Sequence, residues 1–217
     1  MARPRPSSAP PTRVRRTQAG MRALREQLLA QARAIYQAEG LEALSMRRLA
    51  QDAGLSPMTL YSYFPSKQAL LESVWIEVFE ALVDHLLTAT ASKRTPRTVL
   101  EAHLRAFIAF WEDRPDQYRL IYLSAQTGSG QEAVDMSQQP VYARFVGLMR
   151  ERVAACLPER LNATGKQAAL RSDLATTKLV GYLQVTLGIR RYQVGDQDAL
   201  REAVVRDILC ATLAADA

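Results

Sequence analysis

The chain has 217 residues, of which 48% are hydrophobic and 23% charged, with a formal net charge of +6. That length can bury a sizeable core in one domain, or one domain with a small appendage. Two cysteines are too few for a disulfide framework or a metal site, and no run approaches the ~18 apolar residues of a membrane span.

The placement of charge says more than its sum. Up to Lys67 there are eleven Lys/Arg and four acids, a net of +7, which leaves the remaining 150 residues at −1. Basic charge gathered at one end suits a polyanion partner, because each neutralised phosphate releases counterions. A basic surface that only aids solubility is the alternative at this point.

Residues 1–17 are Pro, Ser and Arg and cannot bury enough apolar surface to fold, so a disordered basic arm is expected. The arm has no apolar stretch of the kind an export signal needs, and a cytoplasmic location is expected. From Gln18 a helical period sets in, with Leu24, Leu28, Ala32, Ile35 and Tyr36 on one stripe, and Gly40 supplies a stop. Ser45 caps a second helix that buries Met46, Leu49, Ala50 and Ala53 and ends at Gly54. Ser56 caps a third, with Pro57 at its first position, where a missing N–H costs nothing. This helix is expected to run to about Phe64, because Pro65 disfavours helical geometry in the residue before it.

Ser66 caps a longer fourth helix with Leu70, Leu71, Val74, Trp75, Val78, Phe79, Leu82 and Leu86 at helical spacing. A fifth begins at Thr95-Pro96 and stops by Arg114, and a short sixth carries Tyr118, Ile121 and Tyr122. Residues 124–139 read as a loop or weakly helical link. A seventh helix spans about Pro140 to Cys156, and a polar loop is expected from Leu157 to Arg171. The last two helices cover about Asp173–Tyr192 and Asp198–Ala214. No segment alternates with period two, so the fold class is all-α, with about nine helices. Cys156 and Cys210 are expected to be buried as small hydrophobes.

Two short helices joined by a glycine turn form a helix-turn-helix, in which one helix braces on the DNA backbone while the next enters the major groove. Short capped helices also occur in ordinary bundles. With Leu60 and Phe64 buried, Pro57, Met58, Thr59, Tyr61, Ser62 and Tyr63 are left around the exposed side of the third helix. They supply hydroxyls for phosphates and a methyl for thymine. Lys67 opens the fourth helix, whose N-terminal N–H groups also favour a phosphate.

The stretch from Ser45 to Leu71, SMRRLAQDAGLSPMTLYSYFPSKQALL, resembles the DNA-binding domain of the TetR family of bacterial transcriptional regulators, a likeness covering about residues 20–72. The resemblance implies that Thr59 and its neighbours touch base edges and phosphates. It also implies that Tyr61, Tyr63 and Lys67 form a phosphate clamp, and that Ser45 and Arg47 contact backbone or bases. Pro57 and Met58 complete the expected contact set. Met58 departs from the Gly or Ala common in the family and ranks below Thr59.

The remainder shows no acid–base pair, nucleophile motif, P-loop or metal-ligand spacing, so neither catalysis nor a cofactor or metal is expected. His85 and His103 read as core or surface residues. The resemblance implies residues 18–66 as the DNA-binding domain and 67–217 as a domain for effector binding and dimerisation. Phe107, Trp111, Tyr118 and Tyr122 gather aromatic surface suited to a small apolar or amphipathic effector, with plain core packing as the alternative. On the last helix Leu200, Val204, Ile208 and Ala211 form a stripe that can cover a core and a partner subunit. The expected function is a homodimeric repressor on a palindromic operator, released by an effector. The alternative is a TetR-like protein that binds DNA for chromosome organisation or protein recruitment. No membrane partner is expected.

Overall fold

The computed structural model describes residues 18–123, 135–159, 165–189 and 191–214. The expected arm at residues 1–17 and most of the expected link after Tyr122 lie outside them. Among the described residues every regular element is helical. No helix is long and apolar enough to cross a membrane. The chain divides into two compact units, one up to Tyr63 and the other from Phe64.

The first unit holds three helices. α1 (Gln18–Glu39) buries Leu28, Leu29, Ala32 and Ile35. It stops at Gly40, which takes a φ of +86°, a region glycine enters without a Cβ penalty. α2 (Met46–Asp52) starts where the Ser45 side chain accepts a hydrogen bond from the Arg48 N–H, and it buries Met46, Leu49 and Ala50. The turn that follows uses Gly54 at a φ of +65°. It leads to α3 (Pro57–Tyr61), capped by Ser56.

α3 is shorter than its sequence suggests. The Ser62 N–H donates to the carbonyls of Met58 and Thr59 at 3.2 Å, and its hydroxyl donates to the Thr59 carbonyl at 2.6 Å. These bonds close the helix a turn before Pro65 would have stopped it. Phe64 is buried, but from beyond the helix end.

The second unit is a bundle of α4 (Lys67–Thr90), α5 (Pro96–Glu112), α6 (Pro115–Tyr122), α7 (Pro140–Cys156), α8 (Lys166–Leu183) and α9 (Gln197–Leu213). α4, α8 and α9 each pack on both α5 and α7, and α8 packs on α9. α5 carries a reciprocal cap between Thr95 and Thr98. Its inward face brings Phe107, Phe110 and Trp111 into the core beside Tyr118 of α6 and Phe145 of α7. Each such ring contributes the upper part of the ~1.5–3 kcal/mol typical of a fully buried apolar side chain.

Two expectations are corrected here. α8 begins at Lys166, inside the stretch read as a polar loop, and Gly165 opens it with a φ of +68°. Its early inward positions are Ala168, Arg171, Ser172 and Ala175, so a buried face made of small and polar residues gives almost no hydrophobic period. Arg171 is buried because its guanidinium donates to the carbonyls of Ala211, Thr212 and Ala214, satisfying the open C-terminal end of α9. At its other end α8 passes into a π-helical turn, Gln184–Gly188, well before Tyr192. The second correction concerns cysteine: Cys156 is half-buried, but Cys210 is exposed on α9.

Candidate nucleic-acid interface and bundle cavity

The nucleic-acid candidates of the first unit follow from how little of α3 is used for packing. A five-residue helix has room for one inward anchor, and Leu60 takes that place with no exposed surface. Met58 is then 81% exposed and Tyr61 49%, while Pro57 is exposed and Thr59 and Tyr63 are half-buried.

Thr59 is more constrained than its neighbours. Its N–H donates to the Ser56 hydroxyl at 3.1 Å, and the two hydroxyls lie 2.9 Å apart. The hydroxyl is thus engaged with the cap, whereas the methyl is not part of that bond. Ser45 is likewise engaged as the α2 cap, although its side chain stays exposed.

The adjacent arginines of α2 separate cleanly. Arg48 donates to Asp52 at 2.8 Å and to Glu39 at 3.0 Å, so it fastens the end of α1 to α2. The hydrogen bond it donates to Asp52, followed by the one it donates to Glu39, holds its pKa above the usual guanidinium value. Arg47 is exposed and makes no ion pair among the described residues, which leaves its charge available to a phosphate.

Lys67 belongs to the second unit. It is the first residue of α4, whose Ser66 cap accepts from the Ala69 N–H at 3.0 Å, and its side chain is half-buried.

Within the bundle a cavity of about 480 Å³ lies among α5, α6, α7 and α8. Of the four aromatic residues expected to line a pocket, Phe107 and Tyr122 line this cavity, while Trp111 and Tyr118 do not. Those two stand behind it. Tyr118 stacks on Tyr122 at 4.8 Å between ring centroids, and Trp111 meets Tyr122 edge-on at 5.6 Å. The Tyr118 hydroxyl donates to the Val180 carbonyl at 3.4 Å. Burial pushes its pKa up to about 12 and moves that of Tyr122 upward as well, so both are neutral hydroxyls at neutral pH.

The rest of the wall comes from residues the aromatic stretch could not announce. Tyr142, Phe145 and Met149 of α7 form the apolar side, and Arg150, Asp173 and Thr177 supply polar groups. The α7 trio sits at helical spacing and is legible as a stripe; that it faces a cavity and not a close-packed neighbour is a tertiary fact. A second cavity, about 240 Å³, is lined by Trp75, Phe79, Ile121, Tyr122 and Tyr142 together with the segment Asp135–Ser137.

The stripe expected to meet a partner subunit lies mostly against its own bundle. Ile208 is 1% exposed within the core and Leu200 and Val204 pack against that core, while Ala211 is exposed. The open apolar side chains nearby are Leu170 and Leu174 of α8, 54% and 51% exposed, and Leu213 of α9. His103 is a core residue: its Nδ1 meets the guanidinium of buried Arg152, which also donates to Thr90 at 2.9 Å. His85 rests against Phe110, with ring centroids 5.6 Å apart. Among the described residues no three His, Cys, Asp or Glu side chains gather as a metal site would require.

Residues 28–74 match the family described as "Bacterial regulatory proteins, tetR family". The chain is 27% identical over 187 residues to the HTH-type transcriptional activator FasR of Mycolicibacterium smegmatis, covering 84% of this chain and 80% of that protein. It is 26% identical over 164 residues to the nucleoid occlusion factor SlmA of Vibrio vulnificus, covering 75% of this chain and 81% of that protein. The fold is shared with the fatty acid degradation regulator FadR from Bacillus halodurans at a TM-score of 0.66 and 16% identity, over 85% of this chain and 94% of that one.

Proposed function

We propose that this chain, which belongs to the tetR family of bacterial regulatory proteins, is a homodimeric repressor that binds a palindromic operator and is released by a small effector. One observation carries the DNA-reading part. α3 spends a single side chain on its core and leaves Met58 and Tyr61 open, next to an α2 whose Arg47 makes no ion pair among the described residues while Arg48 does. In this reading Met58 and the Thr59 methyl meet base edges, and Arg47, Tyr61, Tyr63 and Lys67 hold phosphates, with Ser45 and Pro57 at the margin. Phosphate contacts fix the position of the helix and base contacts specify the sequence. Selection of bound duplexes from a random pool tests it. A recovered motif with two-fold symmetry is expected, and no enrichment over non-specific DNA overturns the reading.

The dimer is proposed through α8 and α9, with Leu170, Leu174 and Leu213 as the apolar contacts. Two-fold symmetry in the protein then explains a palindromic site, because each subunit presents one recognition helix. A monomer by light scattering at micromolar concentration is incompatible with this.

For release, the effector occupies the larger cavity of the bundle. α4 is the lever in this proposal, because it begins at Lys67 and supplies Trp75 and Phe79 to the adjoining smaller cavity. The effector must bind the DNA-incompetent arrangement more tightly than the competent one, or nothing shifts. In this reading the protein works in the cytoplasm, beside the bacterial chromosome.

A second reading is favoured by the names of two relatives. FasR is an activator and SlmA a nucleoid occlusion factor, so relatives of this chain include proteins whose names do not describe repressors. A genome-wide binding map separates the readings. A few sites beside promoters support repression, and many sites spread over the chromosome support an organising or recruiting role.

A further inference from the structure

Two arginines are buried in the bundle, and each serves the C-terminal end of another helix. Arg171 donates to backbone carbonyls at the end of α9, and carbonyls do not titrate. Arg152 of α7 donates from Nη2 to the Thr90 hydroxyl at 2.9 Å and reaches the Leu86 carbonyl at 3.5 Å, both in the closing stretch of α4. The Thr90 hydroxyl hydrogen goes to the Leu86 carbonyl at 2.8 Å, so its oxygen is left to accept from Arg152. A cation at the end of a helix is favoured by the dipole and by the open carbonyls there. Arg152 thereby ties α7 to the end of α4.

The other arm of this guanidinium depends on a group that does titrate. Its Nη1 meets Nδ1 of His103 on α5. A guanidinium N–H only donates, so Nδ1 must be bare and the neutral ring carries its proton on Nε2. His103 has no exposed surface, and Nε2 is buried without a hydrogen-bond partner. A proton added at Nδ1 would delete the acceptor and set two cations against each other in an apolar core. The surroundings offer nothing to offset it. α5 packs on α4, α6, α7, α8 and α9. From these helices His85 rests on Phe110, Tyr118 on Trp111, Tyr182 and Arg201 on Glu112, and Glu202 on Arg105, each away from His103. Arg152 is the charged group that meets His103, and no carboxylate is buried among the described residues.

We propose that His103 and Arg152 form an acid-sensitive latch on the C-terminal end of α4. With His103 neutral, Arg152 is held between α5 and α4; with His103 protonated the two cations repel, Arg152 leaves Thr90, and the tie between α7 and α4 is lost. The sign of the effect is fixed by linkage. The folded protein refuses a proton that the unfolded chain accepts near the ordinary histidine value of about 6.5, so the stabilisation is complete above that pH and is lost as pH falls below it. The latch stands apart from the effector reading and touches it only through α4.

The chain has two histidines, so their contributions can be separated with two variants. Urea unfolding of the full chain is followed at one protein concentration between about pH 7.5 and about pH 5.5, above the range in which ordinary carboxylates titrate. The unfolding constant of the unaltered protein is expected to rise roughly tenfold across that window, the effect of one proton taken up on unfolding. His103→Gln, which offers a neutral acceptor that cannot be protonated there, should remove that rise, and His85→Gln should keep it. Equal pH profiles for the unaltered protein and His103→Gln overturn the latch. Should His103→Gln fold poorly, the imidazole Cε1–H resonances of the unaltered protein, assigned with His85→Gln, decide the matter. The His103 signal is expected to stay that of a neutral ring until the protein unfolds, and titration near about pH 6.5 in the folded state overturns the proposal. Affinity for a selected duplex, measured over the same pH range, separates the latch from the lever. A loss of affinity on acidification that His103→Gln abolishes supports both; the stability profile without any such difference in affinity supports the latch and removes α4 as the lever.

Discussion

The two units of the chain solve opposite problems with the same secondary structure. The first places its information on the outside: α2 and α3 are short, capped at both starts by serine, and anchored by a few leucines, so most of their side chains remain available. The second hides its information. Most of its helices are long, most of its aromatic residues are buried, and what distinguishes it from a plain bundle is the space left among them, in cavities of about 480 and 240 Å³. A surface reader can be recognised residue by residue, because each exposed position follows from a local rule of caps and periodicity. A cavity cannot, because it is a place where packing rules fail to fill space.

The contrast can be broken most forcefully in the bundle core. Trp111→Ala removes a fully buried ring that meets Phe107, Phe110, Tyr118 and Tyr122, and is expected to cost about 3–5 kcal/mol. Thermal unfolding followed by circular dichroism would show it; a loss under 1 kcal/mol would mean that the aromatic cluster is loosely packed. Next in size is Leu174→Glu on α8, which sets a charge at the centre of the proposed dimer face. Sedimentation should then report a monomer that keeps its helical content, and a persisting dimer would move the interface elsewhere.

The reader responds to smaller changes that act on contact and leave the fold in place. Arg47→Ala should weaken binding across all sequences and lower the salt slope by about one, as the loss of one phosphate contact does. Arg48→Ala is its internal comparison, since that guanidinium is already spent on Asp52 and Glu39. The salt slope should not change, and titrations of both variants at several salt concentrations decide between them. The smallest expected effect is Ser56→Ala. It deletes the α3 cap at about 1 kcal/mol and frees the Thr59 hydroxyl, so stability should fall slightly while base preference at one operator position changes.

Much of the reader was legible before any coordinates. Ser45, Ser56 and Ser66 are the caps of α2, α3 and α4, Gly40 and Gly54 take positive φ, and Leu60 is the inward anchor, each because a local rule allows little else at those positions. What local rules could not separate was Arg47 from Arg48, or the Thr59 hydroxyl from its methyl. Both depend on where a second side chain ends up, Glu39 in one case and Ser56 in the other. In the bundle the failures have a common origin. Lys166–Arg171 reads as loop because its inward positions are an alanine and a buried arginine, and that arginine is stabilised by carbonyls some forty residues away. Leu200, Val204 and Ile208 form an apolar stripe that fits a subunit interface as well as an internal core, and only packing assigns it inward.

The sequence by itself thus determined the all-helical class, the helix starts and stops of the reader, and the family that residues 28–74 match. These depend on backbone propensity, capping and period, which act over a few residues. Tertiary structure alone decided which aromatics enclose space, which arginine is held by Asp52 and Glu39, and that Tyr122 and Tyr142 border two neighbouring cavities. Those facts arise when helices distant in sequence are pressed together, and no pattern within one helix records what will face it.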